Sequence, residues 1–282
     1  MTDHQLEAAA APPPGTDRES ALIAWFRAHG SALIGFSGGV DSAYLACVAL
    51  EALGPAQVLA VIGRSASYPE AQWVRAREVA DRFTIPVLEV VTEELQDPRY
   101  AANPVNRCYY CKTELWSRLA PIAEARGLAV VVDGTNADDL GDHRPGARAA
   151  AEHGVRSPLA LLGFTKAEIR ARSERRGIPT WDQPASPCLS SRLPYGTPVT
   201  PLRLRTVESA EDALRALGVV GNLRVRHFGV QARVELDADA LGYWGHGAGH
   251  AAATAAVQAA GFTEVEFAPF RSGALNVLAG VT

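Results

Sequence analysis

The sequence has few of the features that mark membrane, secreted or nucleic-acid-binding proteins. None of its apolar runs reaches the ~18 uninterrupted residues that suggest a membrane-spanning helix. Its four cysteines are too few for the disulfide framework of a small secreted domain. Basic residues are not in excess, since 27 Lys and Arg stand against 31 Asp and Glu and give a net charge of −4. This balance argues against a broad basic face that binds nucleic acid.

Residues 1–17 differ from the rest of the chain in composition. They are rich in Ala and Pro and show no apolar period, which predicts a disordered tail. Acidic residues and three consecutive prolines make them unlike a secretory signal. We therefore expect a cytoplasmic protein without membrane or nucleic-acid partners.

From about residue 18, short apolar runs alternate with amphipathic stretches. The runs predict four strands, at residues 31–36, 57–63, 86–91 and 128–134. The stretches between them predict helices at residues 41–53, 69–83 and 108–127, and a further helix at 165–177 begins with Thr165 and Glu168 spaced as a capping box. Strands that alternate with helices predict an α/β fold, a parallel sheet with helices on both faces.

A proline-rich segment, residues 179–201, interrupts this alternation with six prolines, too many for regular structure. The pattern after it differs, with a helix, two strands, a helix and a strand predicted at residues 202–217, 223–229, 231–237, 250–260 and 263–267. This order predicts a smaller α+β domain. We expect a tail at 1–17, a nucleotide-binding domain at 18–197 and a substrate-binding or oligomerisation domain at 198–282.

The most specific motif lies between the first strand and the first helix. After Gly35 and Phe36 it reads Ser37-Gly38-Gly39-Val40-Asp41-Ser42. Glycines allow close approach of the backbone to an anion, and the helix start presents unpaired N–H groups to it. The serine hydroxyls can donate to phosphate oxygens, and Asp41 can orient the loop or bind Mg²⁺. A helix cap with turn glycines explains the same residues less specifically.

This motif resembles the phosphate loop of the PP-loop ATP pyrophosphatase family. The resemblance implies binding of the pyrophosphate part of ATP, activation of a carboxyl or carbonyl oxygen as an adenylate, and release of pyrophosphate. It does not imply which nucleophile then displaces AMP. No Walker-type lysine follows the loop.

Three cysteines are candidates for sulfur or metal chemistry. Cys108 and Cys111 are three residues apart and share a face if their segment is helical. Cys188 stands alone in the proline-rich segment, whereas Cys47 lies among apolar residues and is expected to be buried and inert. A lone CxxC also fits a redox pair, half a zinc site, half an iron–sulfur site or two incidental thiols.

Four motifs together are more specific than any one of them. They are NRCYYCK, DGTNADDLGDHRPG, SPCLSSR and RVRHFGVQARVEL, and the resemblance that they carry with the phosphate loop extends over most of residues 20–270. In this combination the sequence resembles the LarE family, the sulfur transferases of nickel-pincer nucleotide cofactor synthesis. The resemblance implies that ATP and Mg²⁺ adenylate each carboxylate of pyridinium-3,5-biscarboxylic acid mononucleotide, which then becomes a thiocarboxylate.

The family resemblance leaves two sulfur sources open. Members with one cysteine at the position of Cys188 sacrifice its sulfur and keep dehydroalanine, whereas members that add a CxxC carry a 4Fe-4S cluster on three cysteines. Cys108, Cys111 and Cys188 match the second type. Three thiolates leave one iron open for an exogenous sulfide, although zinc has the same three-plus-one geometry.

Other polar residues follow the predicted strands at the edge where α/β sheets bind ligands. Asp133 and Thr135 end the fourth strand, and Thr135, Asn136 and Asp138 are candidate nucleotide or Mg²⁺ contacts. Arg64 and Ser65 follow the second strand, which in PP-loop enzymes lies near adenine and ribose. Each of these residues also fits an ordinary polar loop.

Several charged residues are candidates for phosphate or metal binding. Lys112, one of two lysines with Lys166, follows the CxxC and can stabilise thiolates or bind phosphate. Arg192, Arg224 and Arg226 are candidate ligands of the substrate phosphate, the last two on one strand face. Other candidates are weaker: Glu235 and Asp237 as metal ligands at a subunit contact, and His246 and His250, which the surrounding glycines place in a flexible loop.

Three other functions remain open at this stage. A PP-loop tRNA thiolase also adenylates its substrate, but it should carry a basic groove or an RNA-binding appendage. An amidotransferase such as NAD or GMP synthetase would leave three cysteines unexplained, and a non-catalytic nucleotide sensor would not require an intact loop. The family resemblance further implies a homo-oligomer, a hexamer, together with a sulfide donor and other enzymes of cofactor synthesis as partners.

Overall fold

The computed structural model describes residues 17–141 and 145–280. The predicted tail therefore lies outside the described residues, except for Asp17, whose side chain caps the first helix through the amide of Ser20. No helix in the described ranges is long and apolar enough to cross a membrane.

Seven strands and twelve α-helices are found in the described part of the chain. The strands are β1 (Ala32–Gly35), β2 (Val58–Arg64), β3 (Val87–Val91), β4 (Val130–Val132), β5 (Leu223–Phe228), β6 (Gln231–Leu236) and β7 (Glu264–Pro269). The helices are α1 (Arg18–His29), α2 (Val40–Leu53), α3 (Glu70–Arg82), α4 (Pro98–Ala101), α5 (Arg107–Ala125), α6 (Pro145–Glu152), α7 (Pro158–Leu161), α8 (Lys166–Arg175), α9 (Pro201–Ala216), α10 (Ala238–Ala240), α11 (His250–Ala259) and α12 (Ala274–Leu278). Short 3₁₀ turns occur at Pro55–Gln57, Glu94–Gln96, Ala137–Gly141 and Leu189–Arg192, and one π turn at Leu241–Gly245.

These elements form two compact units that divide the chain at several points. The first comprises the described residues up to Ser65, Glu70–Thr92 and Cys108–Ala185. The second comprises Ala66–Pro69, Glu93–Arg107 and the described residues from Ser186 onward.

The first unit is built on a parallel sheet with strand order β3-β2-β1-β4. Its central strand β1 is fully buried over Ala32, Leu33 and Ile34, as expected for a strand covered on both faces. The main hydrophobic cluster joins the sheet to α5 through Leu33, Trp116 and Leu119. The predicted α/β fold with a parallel sheet is confirmed, and the carboxyl ends of β1 and β4 lie side by side.

The second unit contains a three-stranded sheet in the order β5-β6-β7, with β5 antiparallel and β7 parallel to β6. Helices α9 and α11 pack against each other in this unit, and their buried residues include Val207, Leu214 and Val257. As predicted, much of the proline-rich segment has no regular structure, and α9 begins with Pro201 at its first position.

Asn103 fixes the later part of this segment within the second unit. It is fully buried, and its amide nitrogen donates to the carbonyls of Pro194 (2.7 Å) and Thr197 (2.9 Å). Its carbonyl oxygen accepts from Arg107 at 2.6 Å. One buried side chain thus replaces the hydrogen bonds that a segment rich in proline cannot make with itself.

Candidate active site

The phosphate loop connects β1 to α2, as the sequence predicts. Its serines are linked to each other: the amide of Ser37 donates to Ser42 Oγ (3.3 Å), and the two hydroxyls are 3.2 Å apart. Ser42 Oγ also donates to the carbonyl of Gly39, which caps α2 without a side chain. The loop therefore leaves the amides of the α2 amino end without a side-chain cap, the arrangement found where helices bind anions.

Glycines make this loop compact. Gly38 has a φ of +69°, and a Cβ there would lie 2.5 Å from the Cβ of Ala76 on α3. A Cβ on Gly134, at the end of β4, would lie 2.9 Å from the amide nitrogen of Ser42. Both positions accept only glycine without displacement of the neighbouring backbone.

Helix α3 also holds the loop through a side chain that sequence reasoning missed. Gln72 is buried, and its Nε2 donates to the carbonyl of Ser37 at 2.8 Å. Gln183 Nε2 in turn donates to Gln72 Oε1 at 2.7 Å. A glutamine in an amphipathic helix gives no signal of such a role, because its partner lies 35 residues earlier.

Asp41 is bound by groups from two other segments. The ammonium of Lys166, the first residue of α8, forms an ion pair with Asp41 Oδ2. Asn136 Nδ2 donates to Asp41 Oδ1 at 3.2 Å, and Asn136 is itself buried. Lys166 thus supplies the cation that the loop itself lacks, a role that sequence reasoning did not assign. The scarcity of lysine was the available signal.

The loop after β4 is ordered by its own polar residues. Asp133 accepts from the hydroxyl of Thr135 (3.0 Å) and from that of Ser157 (2.7 Å). Asp138 donates its amide to Asn136 Oδ1 and accepts from the amide of Lys166 at 2.7 Å. The structure thus brings Thr135, Asn136 and Asp138 to the edge of the sheet that carries the phosphate loop. Residues 142–144 of the DGTNADDLGDHRPG motif lie outside the described residues.

Arg64 is the last residue of β2, and Ser65 follows it in sequence. It forms an ion pair with Glu70 (3.0 Å), and its guanidinium lies 4.4 Å from the centre of the Trp73 ring. Its buried Nη1 atom has no hydrogen-bond partner among the described residues. This nitrogen of Arg64 is therefore available to an acceptor that residues 17–141 and 145–280 do not provide.

The four cysteines, all within the described residues, are reduced thiols in three environments. Cys47 is buried in α2, and burial raises the pKa of its thiol to about 12, so it is inert as predicted. Cys108 is exposed and Cys111 is partly exposed, and they are the second and fifth residues of α5. Their three-residue spacing puts them on one helix face, as the sequence predicts.

Lys112 follows on the same helix. Its ammonium lies 5.4 Å from the centre of the Trp116 ring, one turn further along α5. The backbone of Gly146, in α6, approaches it closely, since a Cβ there would lie 2.9 Å from Lys112 Cγ. The stem of Lys112 is therefore packed between α6 and the indole.

In the second unit, Cys188 begins a short 3₁₀ turn and is partly exposed. The predicted phosphate ligand Arg192 is 2% exposed and binds protein groups instead. Its Nε and Nη2 donate to the two carboxylate oxygens of Glu211 at 2.9 Å each. Its Nη1 donates to the carbonyls of Pro187 and Cys188, the latter at 3.1 Å.

Arg224 and Arg226 lie on β5, as predicted. Arg226 binds Glu235 Oε2 with two nitrogens, at 3.0 and 2.8 Å, and donates to the carbonyl of Ser191 at 3.0 Å. Burial, reinforced by the nearby positive charge of Arg192, lowers the pKa of Arg224 to about 10. The guanidinium groups of Arg192, Arg224 and Arg226 are thus all buried in this region, where Glu211 and Glu235 pair with Arg192 and Arg226.

The two weaker metal-ligand candidates, Glu235 and Asp237, both bind protein groups. Glu235 is the partner of Arg226, and Asp237 accepts from the amide of Asn222 (2.7 Å) and from its side chain (3.0 Å). His250 is the first residue of α11, and His246 precedes the helix, so their spacing is not that of one helix face. In the part of the chain that the structure describes, no three His, Cys, Asp or Glu side chains are grouped to hold a metal ion.

Comparisons with known proteins identify the relatives of this chain. The family model described as NAD synthase matches residues 26–102, which include the phosphate loop. The pyridinium-3,5-bisthiocarboxylic acid mononucleotide synthase of Lactiplantibacillus plantarum is 34% identical over 225 residues, 80% of this chain and 81% of that protein. An uncharacterized protein of Synechocystis is 47% identical over 73% of this chain and 76% of its own length. An uncharacterized protein of Methanocaldococcus jannaschii is 29% identical over 73% of this chain and 78% of its own length.

The fold and the phosphate loop agree with these comparisons. The loop sits between β1 and α2 of a parallel sheet, and the synthase relative is matched over four-fifths of both chains. The chain belongs to the PP-loop family and, within it, to the LarE family of ATP-using sulfur transferases.

Proposed function

We propose that this enzyme converts the two carboxylates of pyridinium-3,5-biscarboxylic acid mononucleotide into thiocarboxylates, after adenylation by ATP with Mg²⁺. The observation that carries the proposal is the 34% identity, over 80% of this chain, with the synthase of the corresponding bisthiocarboxylic acid. Such a reaction requires groups that bind ATP, which the phosphate loop would supply, and groups that handle sulfur, which the three accessible cysteines would supply.

The first step is the attack of a carboxylate oxygen on the α-phosphorus of ATP. A new P–O bond forms, and the bond to the β-phosphate breaks with pyrophosphate as the leaving group. In the first unit, the loop amides with Ser37 and Ser42 would bind this pyrophosphate, because they lie at an uncapped helix start. Asp41 and Asp138 are the carboxylates that we assign to Mg²⁺, and Thr135, Asn136 and Arg64 would bind the nucleotide.

Lys166 gives this assignment a physical basis. While no nucleotide is bound, its ammonium compensates the carboxylate of Asp41. If Mg²⁺ took that carboxylate, the flexible ammonium would become available to a phosphate oxygen of ATP. The positive charge would then lie where negative charge develops on the leaving pyrophosphate.

The second step replaces AMP by sulfur. A sulfide attacks the carbonyl carbon of the adenylate, the C–S bond forms, and AMP departs with the electron pair of its C–O bond. AMP is a good leaving group and oxide is not, which is why adenylation must come first.

We further propose that Cys108, Cys111 and Cys188 would hold a 4Fe-4S cluster, which would supply the sulfide for this step. The donors fit such a cluster chemically, since all three are solvent-accessible thiols and Cys47 is not. When bound, a cluster with three protein ligands has one iron open to an exogenous sulfide. Lys112 would stabilise the negative charge of the thiolates. Of the alternatives, sacrifice of the Cys188 sulfur would change the mass of the polypeptide, whereas a zinc site would differ from the cluster in the metal bound.

In the second unit, we assign the phosphate of the mononucleotide to Arg224. Its guanidinium is buried near those of Arg192 and Arg226, and this concentration of positive charge would favour a phosphate. Arg226 and Arg192 contribute to the same positive potential while they bind protein groups.

The test is the intact mass of anaerobically purified protein, denatured to remove metal, before and after turnover. The reaction contains ATP, Mg²⁺, sulfide and the biscarboxylic mononucleotide. We expect ATP-dependent thiocarboxylate over several turnovers with an unchanged polypeptide mass. Loss of the elements of H₂S from Cys188 in step with product would establish sacrificial sulfur transfer instead. Absence of thiocarboxylate would overturn the proposed function.

Cysteine variants give a matched control. Cys108→Ala and Cys111→Ala should lose iron and sulfide-dependent turnover, whereas Cys47→Ala should keep both, because the Cys47 thiol is buried in α2. Retention of iron in the first two variants would overturn the cluster assignment.

The remaining expectations also belong to this proposal. We propose a cytoplasmic homo-oligomer, a hexamer, that receives sulfide from a donor and passes its product to other enzymes of nickel-pincer cofactor synthesis. We also keep, as a proposal, the division into a nucleotide-binding domain of residues 18–197 and a smaller domain of residues 198–282.

A further inference from the structure

We infer that Glu211 and Arg192 act together as positioning residues for Cys188, and that Arg192 does not bind the substrate phosphate. The inference rests on the proposed function, since that function gives Cys188 its part in sulfur transfer. It concerns the second unit alone, where all the residues involved lie.

The guanidinium of Arg192 binds both peptide groups that flank Cys188. One is the Pro187–Cys188 peptide, through the carbonyl of Pro187, and the other is the Cys188–Leu189 peptide, through the carbonyl of Cys188. The amide of Leu189 in the second peptide donates to the carbonyl of Ser67 at 2.8 Å. With both peptide planes held, the backbone angles of Cys188 are fixed, and so is the direction of its Cα–Cβ bond.

Glu211 keeps Arg192 in this position. Its two carboxylate oxygens bind Nε and Nη2 in the paired geometry that is the most directional contact of an arginine. Glu211 is held in turn by the backbone of β5, because its Oε1 accepts from the amide of Val225 at 3.0 Å. The Cys188 loop is thus connected through one guanidinium to both α9 and β5.

The donors of Arg192 argue against a role as phosphate ligand. Each of its three nitrogens already donates to the protein, and the residue is 2% exposed. A phosphate would have to displace either the Glu211 carboxylate or the carbonyls beside Cys188. Arg226 makes a similar contact with the same turn, through the carbonyl of Ser191 at 3.0 Å.

The first test compares Glu211→Gln with Glu264→Gln, the same change at an exposed position of β7 in the same unit. Iodoacetamide labelling of the reduced full-length chain is followed by peptide mass spectrometry, with Cys108 as the reference within each molecule. We expect the Cys188:Cys108 labelling ratio to rise roughly threefold or more in Glu211→Gln, because the loop opens more often. The control should match the wild type. An unchanged ratio in Glu211→Gln would overturn the inference.

Kinetics separate positioning from phosphate binding. Positioning predicts that Glu211→Gln lowers kcat for thiocarboxylate formation about tenfold and leaves KM for the mononucleotide within about twofold. A rise in KM at unchanged kcat would instead assign Arg192 to the substrate phosphate. Single-turnover pyrophosphate release at saturating mononucleotide should stay within about twofold of the wild type, because adenylation precedes the step in which Cys188 takes part.

A double variant guards against a simple loss of folding. Glu211→Gln leaves the buried charge of Arg192 without its carboxylate, whereas Arg192→Met with Glu211→Gln leaves no unpaired charge. We expect the double variant to recover the melting temperature of the wild type but not its kcat. Recovery of kcat together with the melting temperature would show a merely structural role and contradict the inference.

Failure of the two proposals can be told apart. If the wild type forms no thiocarboxylate, the proposed function fails, and the labelling ratio still reports whether Glu211 holds the Cys188 loop. If the wild type is active but the ratio and kcat do not respond to Glu211→Gln, the positioning role alone fails.

Discussion

At the scale of single residues, the conformation of the phosphate loop depends on glycines, which have no side chain, as much as on its polar side chains. The space that a Cβ would occupy at Gly38 is filled by Ala76, and the space at Gly134 by the amide of Ser42. Three segments distant in sequence thus meet at the start of α2. Each of these contacts is purely steric. A variant that adds a Cβ therefore tests it without changing the polar groups of the loop.

Gly38→Ala should abolish most ATP-dependent activity. The new Cβ would meet Ala76 at 2.5 Å, and a shift of the loop of about 1 Å can lower a rate about 100-fold. Gly30→Ala is the matched control, because Gly30 has a similar φ of +80° and nothing within 4 Å of its Cβ position. We expect it to cost about 1 kcal/mol of stability and to leave pyrophosphate release intact. Equal activity of the two variants would contradict the steric explanation.

Lys166→Met should impair adenylation. The change removes the cation beside Asp41, and the loss of a charge that stabilises the leaving group costs about 100-fold in rate. The measurement is pyrophosphate release with ATP, Mg²⁺ and the mononucleotide, with Lys166→Arg as the variant that keeps the charge. Normal release in Lys166→Met would show that the ion pair with Asp41 is only structural.

The residues that sequence reasoning assigned and those it missed differ in a physical way. The phosphate loop lies in one short segment, so its serines, glycines and Asp41 could be predicted from their order alone. Lys166 and Gln72 reach the loop from segments 125 and 35 residues away from their partners, and no local pattern encodes such contacts. The engagement of Arg192 by Glu211 was hidden for the same reason, because the two residues meet only after α9 has packed.

At the scale of elements, local pattern predicts much of the molecule. The strands follow from continuous apolar runs, and α8 follows from its cap, since Thr165 Oγ1 accepts from the amide of Glu168. The helices α1 and α6 were not predicted. Helix α1 has almost no amphipathic period, and its cap Asp17 falls at the end of a stretch that composition assigned to the tail.

Glu19 connects α1 to Tyr44 and Arg176, and its ionisation makes the stability of the fold depend on pH. Tyr44 donates to Glu19 at 2.6 Å, and Arg176 pairs with it at 2.8 Å. Burial raises the pKa of Glu19, but these hydrogen bonds outweigh burial and leave the pKa below its ordinary value of 4.5. The unfolded chain therefore takes up the proton first. The stabilisation is complete above pH 4.5 and is lost as the pH falls through the lower pKa of the folded state.

Glu19→Gln should remove this dependence. Urea unfolding of wild type and variant between about pH 7 and pH 3.5 should show a difference in free energy that shrinks as the pH falls below the ordinary value of the carboxyl. Glu174→Gln, at an exposed position of α8, is the control and should follow the wild type at each pH. A difference that stays constant over this range would contradict the pKa assignment.

At the scale of the whole molecule, the two units carry different parts of the proposed chemistry. The first contains the phosphate loop and the residues after β4, and the second contains Cys188, Arg224 and the three-stranded sheet. Sequence reasoning expected one boundary near residue 197. It had no means to assign residues 93–107 to the second unit, because that assignment depends on hydrogen bonds such as those of Asn103.

Hydrogen exchange should assign the two ligands to the two units. Mg²⁺-ATP should slow amide exchange at residues 37–42 and 134–139 and leave β5 and β6 unchanged. The biscarboxylic mononucleotide alone should slow exchange at residues 187–193 and in β5, where Arg224 lies. Protection of β5 by ATP, or of the phosphate loop by the mononucleotide alone, would contradict this division.

Helix α5 has a consequence for how this part of the chain can vary. Cys108 and Cys111 lie near its amino end, and Trp116 on the same helix packs against Gly35, whose Cβ position lies 2.7 Å from the indole. A continuous helix advances about 1.5 Å and turns about 100° per residue. The five-residue spacing of Cys111 and Trp116 therefore sets both the distance and the direction of the thiols relative to the sheet. One inserted residue would swing the thiols about 100° around the helix axis. Apart from Lys112, the positions between Cys111 and Trp116 are expected to tolerate substitutions better than insertions or deletions.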